Sequence, residues 1–173
     1  MILGKTFDLK TFTYSRTAEK RGIDNTQMTD RQLARLQELH KLFVEIQQRL
    51  SVKFGKPIQI NFTSVFRSLA LNNAIPNSSK KSQHMDGEAA DTTAIGISLE
   101  NYYQALRDLA RNGVLKFGQV IIEYDKRPDT EAGDWIHVSL PKPGILNDFK
   151  RSPITKKEGA RVEGQRIYTS EPL

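Results

Sequence analysis

Cysteine is absent from the 173 residues. Its absence removes disulfides, thiolate zinc clusters and a cysteine nucleophile together, so any metal site has to be built from His, Asp or Glu. Histidine is scarce too: His40, His84 and His137 are the only three. No stretch approaches the roughly 20 apolar residues that a bilayer helix needs, so membrane insertion is not expected. Lys5, Asp8 and Lys10 interrupt the N-terminus before any signal h-region can develop. The expectation is synthesis in the cytoplasm without a signal peptide. Internal repeats and low-complexity tracts are also missing.

What is present suits one soluble domain, expected to be a monomer. Hydrophobic residues make up 38% and charged residues 27% of the chain, a globular balance at a length that supports one real core. The net charge of +6 favours an anionic partner such as nucleic acid, a membrane surface or a cell-wall polymer. Many small proteins are mildly basic for solubility alone, so charge does not choose among these.

Residues 7–28, "FDLKTFTYSRTAEKRGIDNTQM", read as a polar segment with turn chemistry. Beyond it Leu33, Leu36, Phe43, Ile46 and Leu50 recur at helical spacing, with Thr29 or Asp30 as N-cap and Gly55 and Pro57 closing the segment. His40 falls near that apolar face as a packed or half-exposed residue. "PIQINFTSVF" alternates as a strand, "RSLALNNAI" suits a short helix, and "GEAADTTAIG" suits a buried strand. "SLENYYQALRDLARNG" predicts a helix capped by Ser98, with Tyr102, Leu106 and Leu109 on one face and Gly113 at its end. "FGQVIIEYD" and "DWIHVSLP" predict a hairpin. From Pro141 the chain is basic and poor in large apolar residues, which predicts an extended, partly mobile appendage. Helices and strands do not alternate regularly, so the fold class expected is α+β with a small antiparallel sheet.

The chemistry concentrates in "SQHMDGEAAD". His84 and Asp91 are seven apart; on a helix their Cα atoms would stand roughly 10 Å apart, too far for one ion about 2 Å from each ligand. Gly87 argues for a loop that runs into a strand, which lets both side chains turn to one point. His137, in "DWIHVS", is the natural third ligand from a neighbouring strand. Pairwise, His-x6-Asp is common by chance, and the alternative is isolated polar residues. Ser78 and Lys81 form an S-x-x-K, but no K-T-G or S-D-N partner follows, so a penicillin-binding-type nucleophile is not supported.

In order along residues 7–140, "TSVFRSLALNNAI", "SKKSQHMDGEAADTTA", "FGQVIIEYD" and "DWIHVS" resemble the zinc D-Ala-D-Ala carboxypeptidases and phage peptidoglycan peptidases of the M15 type. "TYSRTAEKRGIDNT" is similar to the N-terminal segment of a phage-associated branch. The resemblance implies a zinc peptidase acting on peptidoglycan peptides, with a D-Ala-D-Ala-peptidase-like fold over residues 1–145 and a basic tail over 146–173. It implies Zn2+ held by His84, Asp91 and His137, with water in the fourth position. Arg67 matches the family arginine, which would bind a carboxylate or hold a developing oxyanion. Ser82 and Gln83 match positions that contact substrate or support the ligands. Val65, Phe66 and Leu69 depart from the family's glycine, tyrosine and proline in the pocket wall beside Arg67.

Two acids compete as general base. Asp134 stands three residues before His137, as the acid does in one branch; Glu123 matches the glutamate of the phage-associated branch. A strand residue three from a ligand points to the opposite face, so Asp134 needs a bulge or turn, and Glu123 is preferred. The implied setting is a phage endolysin or virion-associated lysin. Two other classes stand beside it. One is a non-catalytic virion component that retains the fold. The other is a nucleic-acid-binding domain, disfavoured because its basic tail lacks interleaved aromatics. The motifs fit carboxypeptidase and endopeptidase activity alike.

Overall fold

The computed structural model describes residues 7–76, 78–124, 133–152 and 168–173. The segment read as polar turn contains two short helices, α1 (Leu9–Thr13) and α2 (Arg16–Arg21), capped by the side chains of Asp8 and Ser15. Five or six residues are too few to show a helical period, but Phe12 is fully buried and anchors them. The long helix α3 (Asp30–Phe54) starts at Thr29 in a reciprocal capping box with Gln32 and ends at Gly55 in the left-handed region. Leu36, Phe43, Ile46 and Leu50 are buried along it, as their spacing requires, together with His40, which meets Phe7 and Phe12 edge-on. Each such large side chain contributes about 1.5–3 kcal/mol on burial.

Six strands form one sheet in the order β1-β2-β4-β3-β5-β6. They are β1 (Gln59–Ser64), β2 (Ala89–Ile95), β3 (Gln119–Glu123), β4 (Trp135–Ser139), β5 (Asp148–Arg151) and β6 (Thr169–Ser170). Between them lie α4 (Leu69–Ala74) and α5 (Leu99–Arg111). The class is α+β as expected, but the sheet is mixed: β3 pairs in parallel with β5, and every other pairing is antiparallel. Asp148–Arg151, expected in an extended appendage, is therefore a strand of the sheet. Phe149 seats it, fully buried against Tyr103 and Phe117. One aromatic among charged residues carries no period, so the pattern does not announce this strand. Residues 153–167, the most basic part of the expected tail, lie outside the described residues.

The period of two divides the strands cleanly. Ile60, Ala90, Thr92, Val120, Ile122, Ile136, Val138 and Phe149 turn to the helices and are buried. The alternate residues, among them Asn61, Thr93, Asp91, His137, Ile121 and Glu123, share the opposite face. The outer edge of β1 is covered by α3: Ile58 N–H donates to Ser51 Oγ at 3.0 Å and Ile60 N–H to Gln47 Oε1 at 3.1 Å. Among the described residues no helix is long and apolar enough to cross a membrane.

Candidate metal centre

Three candidate ligands from two strands and a loop meet on the face of the sheet turned away from the helices. Asp91 in β2 stands directly opposite His137 in β4, so both side chains leave the same face. His84 arrives from the loop before β2, and that loop is held tightly. Gln83 C=O accepts from the N–H groups of Asp86 and Glu88, and Gln32 of the α3 capping box donates to Met85 C=O at 2.7 Å. Gly87 lies against α3 at φ +71°, where a Cβ would come within 2.7 Å of the Gln32 carbonyl oxygen. Only glycine fits that position on both counts.

The donor atoms of His84, Asp91 and His137 all lie within 4.8 Å of one another. Asp91 Oδ1 is 3.2 Å from His84 Nε2 and 3.0 Å from His137 Nδ1. A tetrahedral ion with ligands at about 2.0–2.2 Å separates its ligand atoms by roughly 3.3 Å, so these three residues fit a small divalent metal such as zinc. The remaining imidazole nitrogens are engaged. His84 Nδ1 donates to Val65 C=O at 2.7 Å, which leaves Nε2 bare and aimed at the cluster. His137 Nε2 faces Gln83 Oε1 at 3.2 Å.

Arg67 reaches the same cluster from behind. Its Nη2 donates to Asp91 Oδ2 at 2.6 Å and its Nε to Ser64 Oγ at 2.9 Å. Ser64 is aimed there by a bulge in β1: Phe62 pairs with Thr92 but Ser64 pairs with Asp91, so Thr63 is the extra residue. Arg67 N–H also donates to His84 C=O at 3.2 Å, and buried Asn25 bridges Thr13 and Phe66 C=O to Ser68 N–H. The loop carrying Arg67 is thus fastened on both sides.

Burial pushes the His84 imidazole down to about 4, and the Arg67 guanidinium adds to this, so the ring is neutral at pH 7. Burial opposes the charge on Asp91, but its contacts with His84, His137 and the Arg67 guanidinium outweigh it and hold the carboxyl well below its usual range. With His84 neutral, Arg67 is the standing countercharge. A neutral imidazole and an ionised carboxylate are the protonation states a metal requires.

A family model described as Peptidase M15 matches residues 5–123. The chain belongs to the Peptidase M15 family. These peptidases are metal-dependent, and the His-Asp-His group gives this member a place to hold the metal. No curated protein matches the chain significantly. The M15 match takes in Arg67, His84, Asp91 and Glu123 and ends before His137, which the sheet register brings to the site.

The departures from the M15 pattern are accommodated locally. Val65 acts through its backbone carbonyl, and Phe66 is buried. Leu69 occupies the first position of α4 after the Ser68 cap, where a proline is tolerated because that N–H lacks an intrahelical partner. Glu123 is buried on the metal face, opposite Trp135 and one alternate position along from Ile121, which pairs with His137. Asp134 is exposed, just before β4, and its charge acts on the Tyr124 hydroxyl, which also accepts from Arg151. Arg151 meets Glu100 of α5, so this is the helix side of the sheet. Ser82 is half-buried and offers its carbonyl to Met85 N–H. Ser64, Ser139, Gln32 and Asn25, which also support the site, are not legible in sequence: each is a common polar residue whose role comes from a partner distant in the chain.

Proposed function

We infer that this protein is a zinc-dependent peptidase that hydrolyses peptide bonds in the stem peptides of peptidoglycan. The observation that carries this reading is the convergence of His84 Nε2, Asp91 Oδ1 and His137 Nδ1 on one face of the sheet, in a chain of the M15 family. Zinc bound by these atoms would supply a Lewis acid and lower the pKa of a coordinated water toward neutrality.

The chain's own residues do the rest. Arg67 holds Oδ2 of Asp91, so the carboxylate presents a single oxygen, Oδ1, to the metal. Its Nη1 makes no hydrogen bond to the described residues and is the donor offered to a substrate oxygen. Glu123 is the proposed general base: its position on the metal face supports taking a proton from the attacking water and returning it to the leaving amine. Asp134 is the second choice because it borders Tyr124 on the helix side. The similarity of "TYSRTAEKRGIDNT" to a phage-associated branch supports a phage lysin as the setting, and the net charge of +6 suits residence on an anionic wall.

The test is digestion of purified peptidoglycan, with products identified by mass spectrometry. New amine termini from the zinc-loaded wild type, absent with His84→Ala, are expected. Identical products from wild type and His84→Ala would overturn the reading.

A further inference from the structure

The two histidines of the centre are oriented by different means. His84 is pinned by a backbone carbonyl, that of Val65, which no side-chain substitution removes. His137 depends on a side chain. Its Nε2 faces Gln83 Oε1 at 3.2 Å, and the Gln83 carboxamide is itself fixed, because Nε2 donates to Ser139 Oγ at 3.1 Å. Ser139 Oγ is held in turn by Gln119 N–H at 2.8 Å. Gln83 is only 8% exposed and Ser139 is fully buried. The carboxamide is thus fixed between β3, β4 and the ligand loop, with its oxygen turned to the ring.

An amide oxygen only accepts, so this arrangement requires a proton on His137 Nε2 and, in the neutral ring that a metal binds, leaves Nδ1 bare, 3.0 Å from Asp91 Oδ1. The opposite tautomer has a different consequence. A proton on Nδ1 would donate to Asp91 Oδ1, occupying the carboxylate oxygen and the imidazole nitrogen that a metal needs. The choice between a metal-ready centre and a self-bonded His–Asp pair therefore falls to one neutral side chain outside the ligand set.

We propose that Gln83 is a positioning residue that selects the Nε2–H tautomer of His137 and so presents Nδ1 as the ligand atom. It acts through His137 and does not contact substrate. The proposal rests on the metal-peptidase reading only in that the centre takes a divalent metal; it is independent of which bond is cleaved.

The test uses the full chain, with zinc as the probe. In the 15N-labelled, zinc-loaded wild type, long-range proton–nitrogen correlation should show His137 protonated at Nε2 and metal-bound at Nδ1. Gln83→Met keeps the length but removes the acceptor, and should weaken zinc binding about 10- to 100-fold in competition with a chromophoric chelator. Gln83→Glu restores an acceptor of the same reach and should recover affinity to within a few-fold of wild type. A wild-type spectrum with His137 protonated at Nδ1 would overturn the proposal, whatever the variants do. So would a folded Gln83→Met with wild-type zinc affinity. Zinc binding that follows this pattern without any peptidoglycan cleavage would leave the proposal standing and remove the substrate assignment.

Discussion

Arg67 and Asp91 form a nearly buried ion pair in which the carboxylate is divided: Oδ2 accepts from Nη2 at 2.6 Å, while Oδ1 faces both imidazoles. Their side chains are 15% and 9% exposed. The pair gives a carboxylate inside the fold a permanent countercharge without occupying the oxygen that turns to the metal position.

Removing that countercharge should expose the electrostatic cost of Asp91. Arg67→Ala is expected to destabilise the metal-free protein by about 3 kcal/mol, the low end for a broken buried pair because Arg67 keeps some solvent contact. Zinc restores positive charge beside Asp91, so the loss should be smaller in the zinc-loaded protein. Denaturant titrations with and without zinc measure both. Equal losses in the two forms would detach Arg67 from the metal centre.

The two candidate bases separate kinetically. Glu123→Gln should lower kcat by about 10²- to 10⁴-fold with zinc affinity retained, the range for loss of a general base. Asp134→Asn, altering an exposed side chain near Tyr124, should remain within a few-fold of wild type. The reverse result would move the proton shuttle to Asp134. Steady-state kinetics on a soluble stem peptide resolve the two.

Acid should weaken the metal-free fold through His84. The ring titrates at 6.5 when unfolded and at about 4 when folded, so between these values the unfolded chain binds more protons and stability falls as pH falls. The full drop is roughly 3 kcal/mol at 1.36 kcal/mol per decade. Asp91, held below its usual range, adds its own loss only under further acidification. His84→Gln should flatten the curve from pH 6.5 to 4. An unchanged slope in that variant, followed by thermal denaturation across the window, would rule this origin out.

The C-terminal strand should be indispensable. Ending the chain at residue 145 removes β5, exposes the edge of β3 and uncovers Tyr103 and Phe117, against which Phe149 packs. The truncated chain is expected to be insoluble or unfolded, and Phe149→Ala alone should cost about 3–5 kcal/mol. Soluble expression and circular dichroism check the first, and denaturant titration checks the second. A truncated chain that melts like wild type would return these residues to the role of an appendage.

Much of the frame was legible without coordinates. The helical period from Leu33 to Leu50, the Thr29 and Ser98 caps and the alternation around Ile58 and Ile60 are local patterns, and local patterns fix local structure. Gly87 betrayed a loop between His84 and Asp91, since it takes a backbone angle that other residues avoid. His84, Asp91 and His137 stood out because histidine is rare and cysteine absent in this chain, and it was the resemblance to the M15 peptidases that joined them as one candidate ligand set.

Tertiary structure decided what depends on partners far apart in sequence. The bulge at Thr63 that aims Ser64 at Arg67 is a property of the β1–β2 register, and the sheet face on which Glu123 lies follows from the β3–β4 register. Asp148–Arg151 became a strand because β3 offered an open edge and Tyr103 and Phe117 a seat for Phe149, none of which is visible in "DFKR" itself. The carboxamide of Gln83 is an ordinary polar group until folding sets it between Ser139 and His137. Side-chain type and period are written along the chain, whereas the direction of a hydrogen bond is settled only when the chain returns to meet itself.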